Sequence, residues 1–325
     1  MMRWIFAAMM AAATVSVQAD NYSEDPRLRR LMTDWVLDYR MPKGWLQRQF
    51  INVEKQDGVL ERFNRQAESM PWFRYRPIFD NDERALLGAA FWQEHAETLA
   101  RAQAEYGVPA AVIVAVIGVE TKYGTITGSF RAIDALTTLA LDYPRRSEFF
   151  TNELRELLLL ALEENREASS FTGSYAGAMG IAQFMPSSYR AYAVDFDGDG
   201  DRDILTDPVD AIGSVAAYLA RHGWRVGEPV VVSARPPQGD PDRLVSQGLA
   251  LDTTLQTLRT AGVKFDLLRG DTARAKLFKL DGADGPEYYV ALNNFYVITR
   301  YNRSLMYALS VHNLSRRIER LRVVE

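Results

Sequence analysis

The segment VPAAVIVAVIGVETKYG, residues 108–124, decides how this chain is read. None of the residues from Val108 to Val119 carries a polar side chain, and then a carboxylate arrives, Glu120. A charge at the end of such a run is costly unless it is paired, neutralised or used. Pro109 suits the first turn of a helix and Gly124 its end. A helix apolar on every face is a buried helix. Glu120 falls near its C-terminus, where the macrodipole is negative. Apolar surroundings and that dipole both disfavour the ionised carboxyl and push its pKa up. A general acid working near neutral pH needs that shift. A structural glutamate paired with Lys122 or an arginine would explain the same residues.

Outward from this helix the chain reads as mainly α, in the α+β class. Residues 25–105 are helical in pattern, as in DPRLRRLMTDWVLDYR and DERALLGAAFWQEHAETLARAQAEYG, the latter stopped by Gly107. Between them MPWFRYRPIF, residues 70–79, reads as an irregular aromatic and basic segment. Residues 145–168, including ELRELLLLALEEN, form a further helix. A glycine-rich loop, GSYAGAMGIAQFMPSS at 173–188, leads into a short helix from Pro186 to about Val194. The acidic loop DFDGDGDRDILTDP follows at 195–208. Asp207 as N-cap, Pro208 in the first turn and Asp210 at N3 then open a capping-box-like helix that ends at Gly223. After residue 226 the pattern changes. EPVVVSAR reads as a strand and KLFKLDGADGPEYYVAL as a hairpin around an Asp-Gly turn. NRSLMYALSVHNLSRRIERL closes the chain as a helix. A helical body therefore holds a small mixed or β insertion at 228–292.

The 38 Lys and Arg against 42 Asp and Glu give a net charge of −4. There is no global basic field, so nucleic acid is not an expected partner. The absence of Cys excludes disulfides, a thiolate metal site and a lipoprotein cysteine. Arg3 followed by the mostly apolar stretch Trp4 to Val17 and the small-x-small group Val17-Gln18-Ala19 reads as an export signal cut after Ala19. The apolar stretch is short for a bilayer span. The expectation is a soluble periplasmic protein with no stable membrane anchor; an uncleaved anchor is the alternative. His95, His222 and His312 have no metal-site spacing and read as structural or surface residues.

In the glycine-rich loop, Gly173, Gly177 and Gly180 allow backbone to approach a ligand closely. Ser174 and Gln183 add neutral hydrogen-bonding groups suited to sugar hydroxyls and acetamides. A plain connector would look similar. The acidic loop is more specific. Asp195, Asp197, Asp199, Gly200, Asp201 and Asp203 fall on EF-hand positions 1, 3, 5, 6, 7 and 9. Position 7 uses a backbone carbonyl, so Asp201 need not offer its side chain. Position 12 is Thr206 rather than a bidentate Glu, so Asp207 or Asp210 must supply the missing carboxylate. Five carboxylates within nine residues repel one another without a cation. The reading is a structural Ca²⁺ that ties the Gln183 loop to the following helix.

Taken together, VIGVETKYG, GSYAGAMGIAQFMPSSYRAYAVDFDGDG, DPVDAIGSVAAYLARHGW and NNFYVITRYNRSLMYAL resemble the lytic murein transglycosylase B family, from about residue 25 to the C-terminus. The resemblance implies a periplasmic enzyme that cuts the β-1,4 bond between N-acetylmuramic acid and N-acetylglucosamine in peptidoglycan. It implies a lysozyme-like catalytic core, an additional helical domain, a small β-containing domain and an EF-hand-like calcium site. The corresponding partition is a signal at 1–19, a helical region at 20–105, the core at 106–227 with its acidic loop at 195–210, the insertion at 228–292 and a returning segment at 293–325. The catalytic glutamate of the family's GVET motif matches Glu120. The substrate-binding residues match Ser174, Gln183, Tyr218, Tyr301, Asn302 and Tyr307. The calcium ligands match Asp195, Asp197, Asp199, Asp203 and Asp210. Expected partners are peptidoglycan glycan strands and other cell-wall enzymes. Some members are lipoproteins; lacking the cysteine, this chain resembles the soluble ones.

Ordinary glycosidases need two carboxylates flanking the bond, and only Glu120 stands in a convincing context here. It would protonate the departing glycosidic oxygen and then, ionised, take the proton of the muramyl C6 hydroxyl as that oxygen closes on C1. The product is 1,6-anhydromuramic acid and no water is consumed. A lysozyme-type hydrolase, a wall-binding protein without turnover and a calcium-signalling protein are the alternative readings.

Overall fold

The computed structural model describes residues 21–65, 70–267, 270 and 272–323. The export signal expected at 1–19 lies outside the described residues. The chain divides into two compact units, one ending at Lys55 and the other starting at Gln56.

The first unit holds helices α1 (Pro26–Tyr39) and α2 (Lys43–Gln49). Asp25 starts α1: its carboxylate accepts the Arg27 N–H at 2.7 Å and Pro26 fills the first turn. The Tyr22 N–H donates to the Val53 carbonyl at 3.1 Å and joins the two ends of the unit.

In the second unit α3 (Asp57–Arg65), α4 (Trp72–Phe79), α5 (Asp82–Glu94), α6 (Ala96–Tyr106) and α7 (Ala110–Thr121) come first. The segment read as irregular at 70–79 is thus mostly the helix α4. Pro71 is its N-cap, and the helix tolerates Pro77 within its short length. α7 is the buried apolar helix: every residue from Ala110 to Val119 is buried, and Thr121 with them. Pro109 stands one place earlier than expected, as its N-cap. Among the described residues no single helix is long and apolar enough to cross a membrane; α6 and α7 qualify only jointly and meet at 113°.

Next come β1 (Phe130–Arg131), α8 (Ala132–Asp142), α9 (Ser147–Glu163), β2 (Thr172–Gly173), α10 (Pro186–Tyr192) and α11 (Pro208–Arg221). β1 and β2 pair antiparallel, Phe130 opposite Gly173. Asp207 caps α11 through the Val209 N–H at 2.7 Å. Asp210 does not complete the expected capping box. Its two oxygens accept the N–H groups of Phe196, at 2.6 Å, and Asp203, at 2.7 Å, and so tie both ends of the acidic loop to α11.

The insertion contains β3 (Val231–Arg235), β4 (Thr253–Thr254), α12 (Leu255–Thr260), β5 (Lys264–Phe265), β6 (Arg274–Gly282) and β7 (Gly285–Ala291). They form one antiparallel sheet in the order β4-β6-β7-β3-β5. The hairpin turns through Ala283 and Asp284, between the paired Gly282 and Gly285. Leu255, Leu258, Leu277, Tyr288, Val290 and Leu292 belong to its apolar cluster.

The chain returns through α13 (Asn293–Tyr301) and α14 (Leu305–Val323). α13 is not anticipated above, because its buried face includes the polar Asn294 and Thr299. Asn294 is fully satisfied there: its amide donates to the carbonyls of Arg225 and Glu228, and its oxygen accepts the Arg225 N–H, all at 2.8 Å. α14 packs on α4, α5, α7 and α13, which brings the C-terminal segment over the Glu120 end of α7.

Candidate active site

Glu120 occupies the last turn of α7 and keeps partial solvent exposure while its helix neighbours are sealed. Burial of its carboxyl drives the pKa up to about 7, against a smaller opposing effect of the Tyr307 hydroxyl. That hydroxyl donates to Oε1 of Glu120 at 2.6 Å. The ion-pair alternative fails for Lys122, whose ammonium contacts Glu83 at 2.6 Å instead. Among the described residues no basic group forms a salt bridge with Glu120.

Three tyrosines feel the Glu120 charge: Tyr75 on α4, Tyr301 at the end of α13, and Tyr307 on α14. In each, burial first and that charge second raise the phenol pKa, and in Tyr301 and Tyr307 they raise it well above the ordinary range. Helices far from α7 in the sequence, α4 on one side and α13 with α14 on the other, thus converge on one carboxyl. Tyr75 was missed by sequence reasoning, because the segment around it read as irregular. The Tyr301 hydroxyl donates to the Ala182 carbonyl at 2.6 Å, and its ring lies 4.8 Å from that of Tyr218 and 5.7 Å from that of Phe184. Tyr218 is buried, and its hydroxyl is spent on the Arg300 carbonyl at 2.6 Å. In this geometry its ring packs edge-on against that of Tyr301. Asn302 follows Tyr301 as the exposed C-cap of α13.

The glycine-rich loop packs against the turn after Glu120. Gly180 has φ +68, and a Cβ there would sit 2.2 Å from the Ile204 carbonyl oxygen. Gln183 is also left-handed, at φ +49. Its amide nitrogen donates to the carbonyls of Thr127 at 3.0 Å and Gly180 at 2.8 Å. Its Oε1 makes no hydrogen bond among the described residues and remains an acceptor for a ligand. Ser174 Oγ accepts the Ala178 N–H at 3.1 Å, which leaves its own proton to donate outward.

In the acidic loop, carboxylate oxygens of Asp195, Asp197 and Asp210 lie within 4.8 Å of one another. None of the three has a basic partner among the described residues, and burial raises the Asp210 pKa. Three hard oxygen donors of one sign, convergent and unneutralised, fit a divalent cation of the calcium type. The Asp199 carboxylate accepts the Asp201 N–H at 2.9 Å and that of Asp201 the Arg202 N–H at 2.8 Å. Asp203 turns onto the N–H groups of Leu205, at 2.8 Å, and Thr206, at 3.2 Å. Between the two residues left open above, Asp207 is engaged as a helix cap and Asp210 joins the cluster.

The histidines are packing groups. His95 lies against Phe91 with ring centroids 4.5 Å apart, and His222 stacks on Tyr218 at 4.1 Å. Burial pushes His312 down to about 4, so it is neutral at physiological pH.

The chain matches the family described as Transglycosylase SLT domain over residues 24–316. It is 39% identical over 313 residues to the membrane-bound lytic murein transglycosylase B of Escherichia coli (strain K12), a match that covers 93% of this chain and 85% of that protein. The crystal structure of soluble lytic transglycosylase SltB1 from Pseudomonas aeruginosa is similar with a TM-score of 0.88 at 49% identity, covering 92% of this chain and 100% of that one. The Escherichia coli lytic transglycosylase Slt35, solved in complex with calcium, is similar with a TM-score of 0.85 at 38% identity, covering 94% of this chain and 96% of that one.

Proposed function

The chain belongs to the Transglycosylase SLT domain family and is a peptidoglycan lytic transglycosylase of lysozyme-like fold, and on that premise we propose that Glu120 is its single acid and base. The reaction cleaves the β-1,4 bond between MurNAc and GlcNAc and leaves 1,6-anhydroMurNAc. The observation that carries the assignment of Glu120 is its place at the end of the buried helix α7, where its carboxyl accepts the Tyr307 hydroxyl at 2.6 Å and has no basic partner among the described residues; burial there pushes its pKa up to about 7.

At that pKa both protonation states are populated near neutrality, so one carboxyl serves both half-steps. Protonated Glu120 gives its proton to the glycosidic oxygen as the C1–O bond breaks. The oxocarbenium character then developing at C1 attracts the muramyl C6 oxygen. Glu120, now ionised, takes the C6 hydroxyl proton as the C6–O–C1 bond forms, which regenerates the acid. Tyr307 stabilises the ionised intermediate state through its hydrogen bond. Ser174 and Gln183 offer a donor and an acceptor to the sugar. Tyr301 and the exposed Asn302 line the approach, with Tyr218 behind. Holding the muramyl ring so that its own hydroxyl reaches C1 first makes ring closure faster than attack by water.

Asp195, Asp197 and Asp210 would hold a structural Ca²⁺, with Asp199, Asp201 and Asp203 shaping the loop around it. Such an ion neutralises the cluster and supplies no chemistry to the glycan. The substrate is a cell-wall polymer, and on the signal read from the sequence at 1–19 we propose that the enzyme acts in the periplasm as a soluble protein. The glycan strand is its partner.

The test is product analysis on purified peptidoglycan with Glu120→Gln beside the wild type. The wild type releases muropeptides lighter by one water than hydrolytic products and without a reducing end, and Glu120→Gln releases none. Substantial release by Glu120→Gln moves the acid elsewhere. Products bearing only reducing ends make the enzyme a hydrolase.

A further inference from the structure

Thr121 follows the catalytic glutamate in sequence, yet its side chain faces the interior and is 1% exposed. Its hydroxyl is the meeting point of three segments. It lies 3.0 Å from the Ile181 carbonyl oxygen in the glycine-rich loop and 3.2 Å from the Ile117 carbonyl one turn back in α7. It also accepts the Gly124 N–H at 2.9 Å. A hydroxyl has one proton to donate. The Ile117 contact is the usual local one for a helical threonine. The Ile181 contact spans 60 residues and ties the end of α7 directly to the glycine-rich loop.

The backbone beyond Thr121 needs such a tie. Lys122, Tyr123 and Gly124 have φ of +50, +62 and +82, three left-handed residues in succession, two of them not glycine. That conformation is unfavourable for residues with a Cβ and persists only where tertiary contacts impose it. Tyr123 is held by its hydroxyl donating to the Arg84 carbonyl at 2.7 Å, Lys122 by Glu83, and Gly124 by the Thr121 hydroxyl. Ile181 is anchored in turn, since its N–H donates to the Ile204 carbonyl at 2.9 Å, beside Asp203. A line of main-chain and hydroxyl bonds therefore runs from the acidic loop through Ile181 to the residue next to Glu120.

We propose that Thr121 is a positioning residue for the reaction: its hydroxyl fixes the end of α7, and with it the Glu120 carboxyl, against the loop that presents Ser174 and Gln183. The proposal rests on the reading of Glu120 as acid and base. Acid and sugar-orienting groups come from different elements, so a small error in their registration places the proton donor off the glycosidic oxygen. The cost of such an error falls on the chemical step rather than on substrate capture.

The experiment compares Thr121→Val, which keeps the shape and removes the hydroxyl, with Thr121→Ser, which keeps the hydroxyl. Both are assayed on soluble uncrosslinked glycan strands beside Glu120→Gln, with melting temperatures and a ¹³C-carboxyl titration of Glu120. The expected result is a kcat lower by about tenfold or more in Thr121→Val, with KM within about twofold of wild type, the Glu120 titration displaced, and Thr121→Ser restored to within about threefold. A wild-type kcat and titration in Thr121→Val overturns the proposal. A loss that follows the fall in folded protein equally in both variants overturns it too, because that is a packing effect. Turnover by Glu120→Gln defeats the reading of Glu120 itself; an inactive Glu120→Gln beside a wild-type-like Thr121→Val defeats only the role given to Thr121.

Discussion

The Tyr307 hydroxyl donates to Oε1 of Glu120 across 2.6 Å, joining α14 to the last turn of α7. The bond opposes the larger effect of burial and keeps the Glu120 pKa at about 7 rather than higher. Removing it strips the ionised carboxyl of its donor. Tyr307→Phe therefore raises the Glu120 pKa by about one further unit, since a hydrogen bond to a charged group contributes roughly 1.5 kcal/mol or more. The free enzyme must start protonated, so the alkaline limb of the kcat/KM profile moves up in pH by about that amount. A limb that stays in place or moves down would show that the hydroxyl does not govern the carboxyl.

Stability carries the same signature with a definite sign. Glu120 has a folded pKa of about 7 against an ordinary 4.5. Between those values the folded state binds the proton that the unfolded chain has released. Stability present below pH 4.5 is therefore lost as pH rises through about 7. Glu120→Gln cannot ionise and keeps an acceptor for Tyr307. It should match the wild type near pH 4 and exceed its stability at pH 8 by on the order of 2 kcal/mol, reduced from the full shift because Glu120 keeps some exposure. Urea melts at the two pH values measure the difference, and equal stability at pH 8 contradicts a desolvated carboxyl.

Much of this site is legible in the sequence for a physical reason: local chemistry fixes it. A run without polar side chains forces α7 into the core, so Glu120 announces itself as the exception. The aspartates at alternate positions from 195 to 203 announce a cation loop in the same way. Tyr75 is not legible, because its place depends on α4 meeting α14, and Pro71 and Pro77 mask α4 itself. Tyr218 matches the resemblance, but only the three-dimensional contact with the Arg300 carbonyl shows that its hydroxyl is already used. Thr121 sits beside the most conspicuous residue in the chain, and its reach to Ile181 depends on a fold that no local pattern encodes. Asp210 is legible as one of two candidates for the missing loop carboxylate, but its helix-cap reading gives way to a bridge across the acidic loop.

Calcium should act on stability through the aspartate cluster. A ligand present at about a hundred times its Kd adds about 2.7 kcal/mol, which for a chain of this size raises Tm by about 5 °C. Chelation reverses the gain. Asp197 is exposed, and one of its oxygens accepts the Asp199 N–H at 3.1 Å, a bond that asparagine also supports. Asp197→Asn should therefore leave the metal-free Tm nearly unchanged while removing most of the calcium response. Thermal melts with and without chelator read both effects; a wild-type Tm indifferent to calcium argues against the metal.

Gly180 tests whether the glycine-rich loop is a plain connector. At φ +68 an added Cβ is strained by the backbone alone, and here it would also meet the Ile204 carbonyl oxygen at 2.2 Å. That oxygen is the acceptor for the Ile181 N–H, so relief of the clash must part the loop from the acidic segment. Gly180→Ala should destabilise by more than about 2 kcal/mol. It should also lower kcat more than Gly223→Ala, a control with the same handedness, at φ +90, but open space around it. Denaturant midpoints and turnover of the two variants separate backbone strain from steric contact. Equal loss in both would mean that handedness alone matters at Gly180 and that the approach to Ile204 carries no weight.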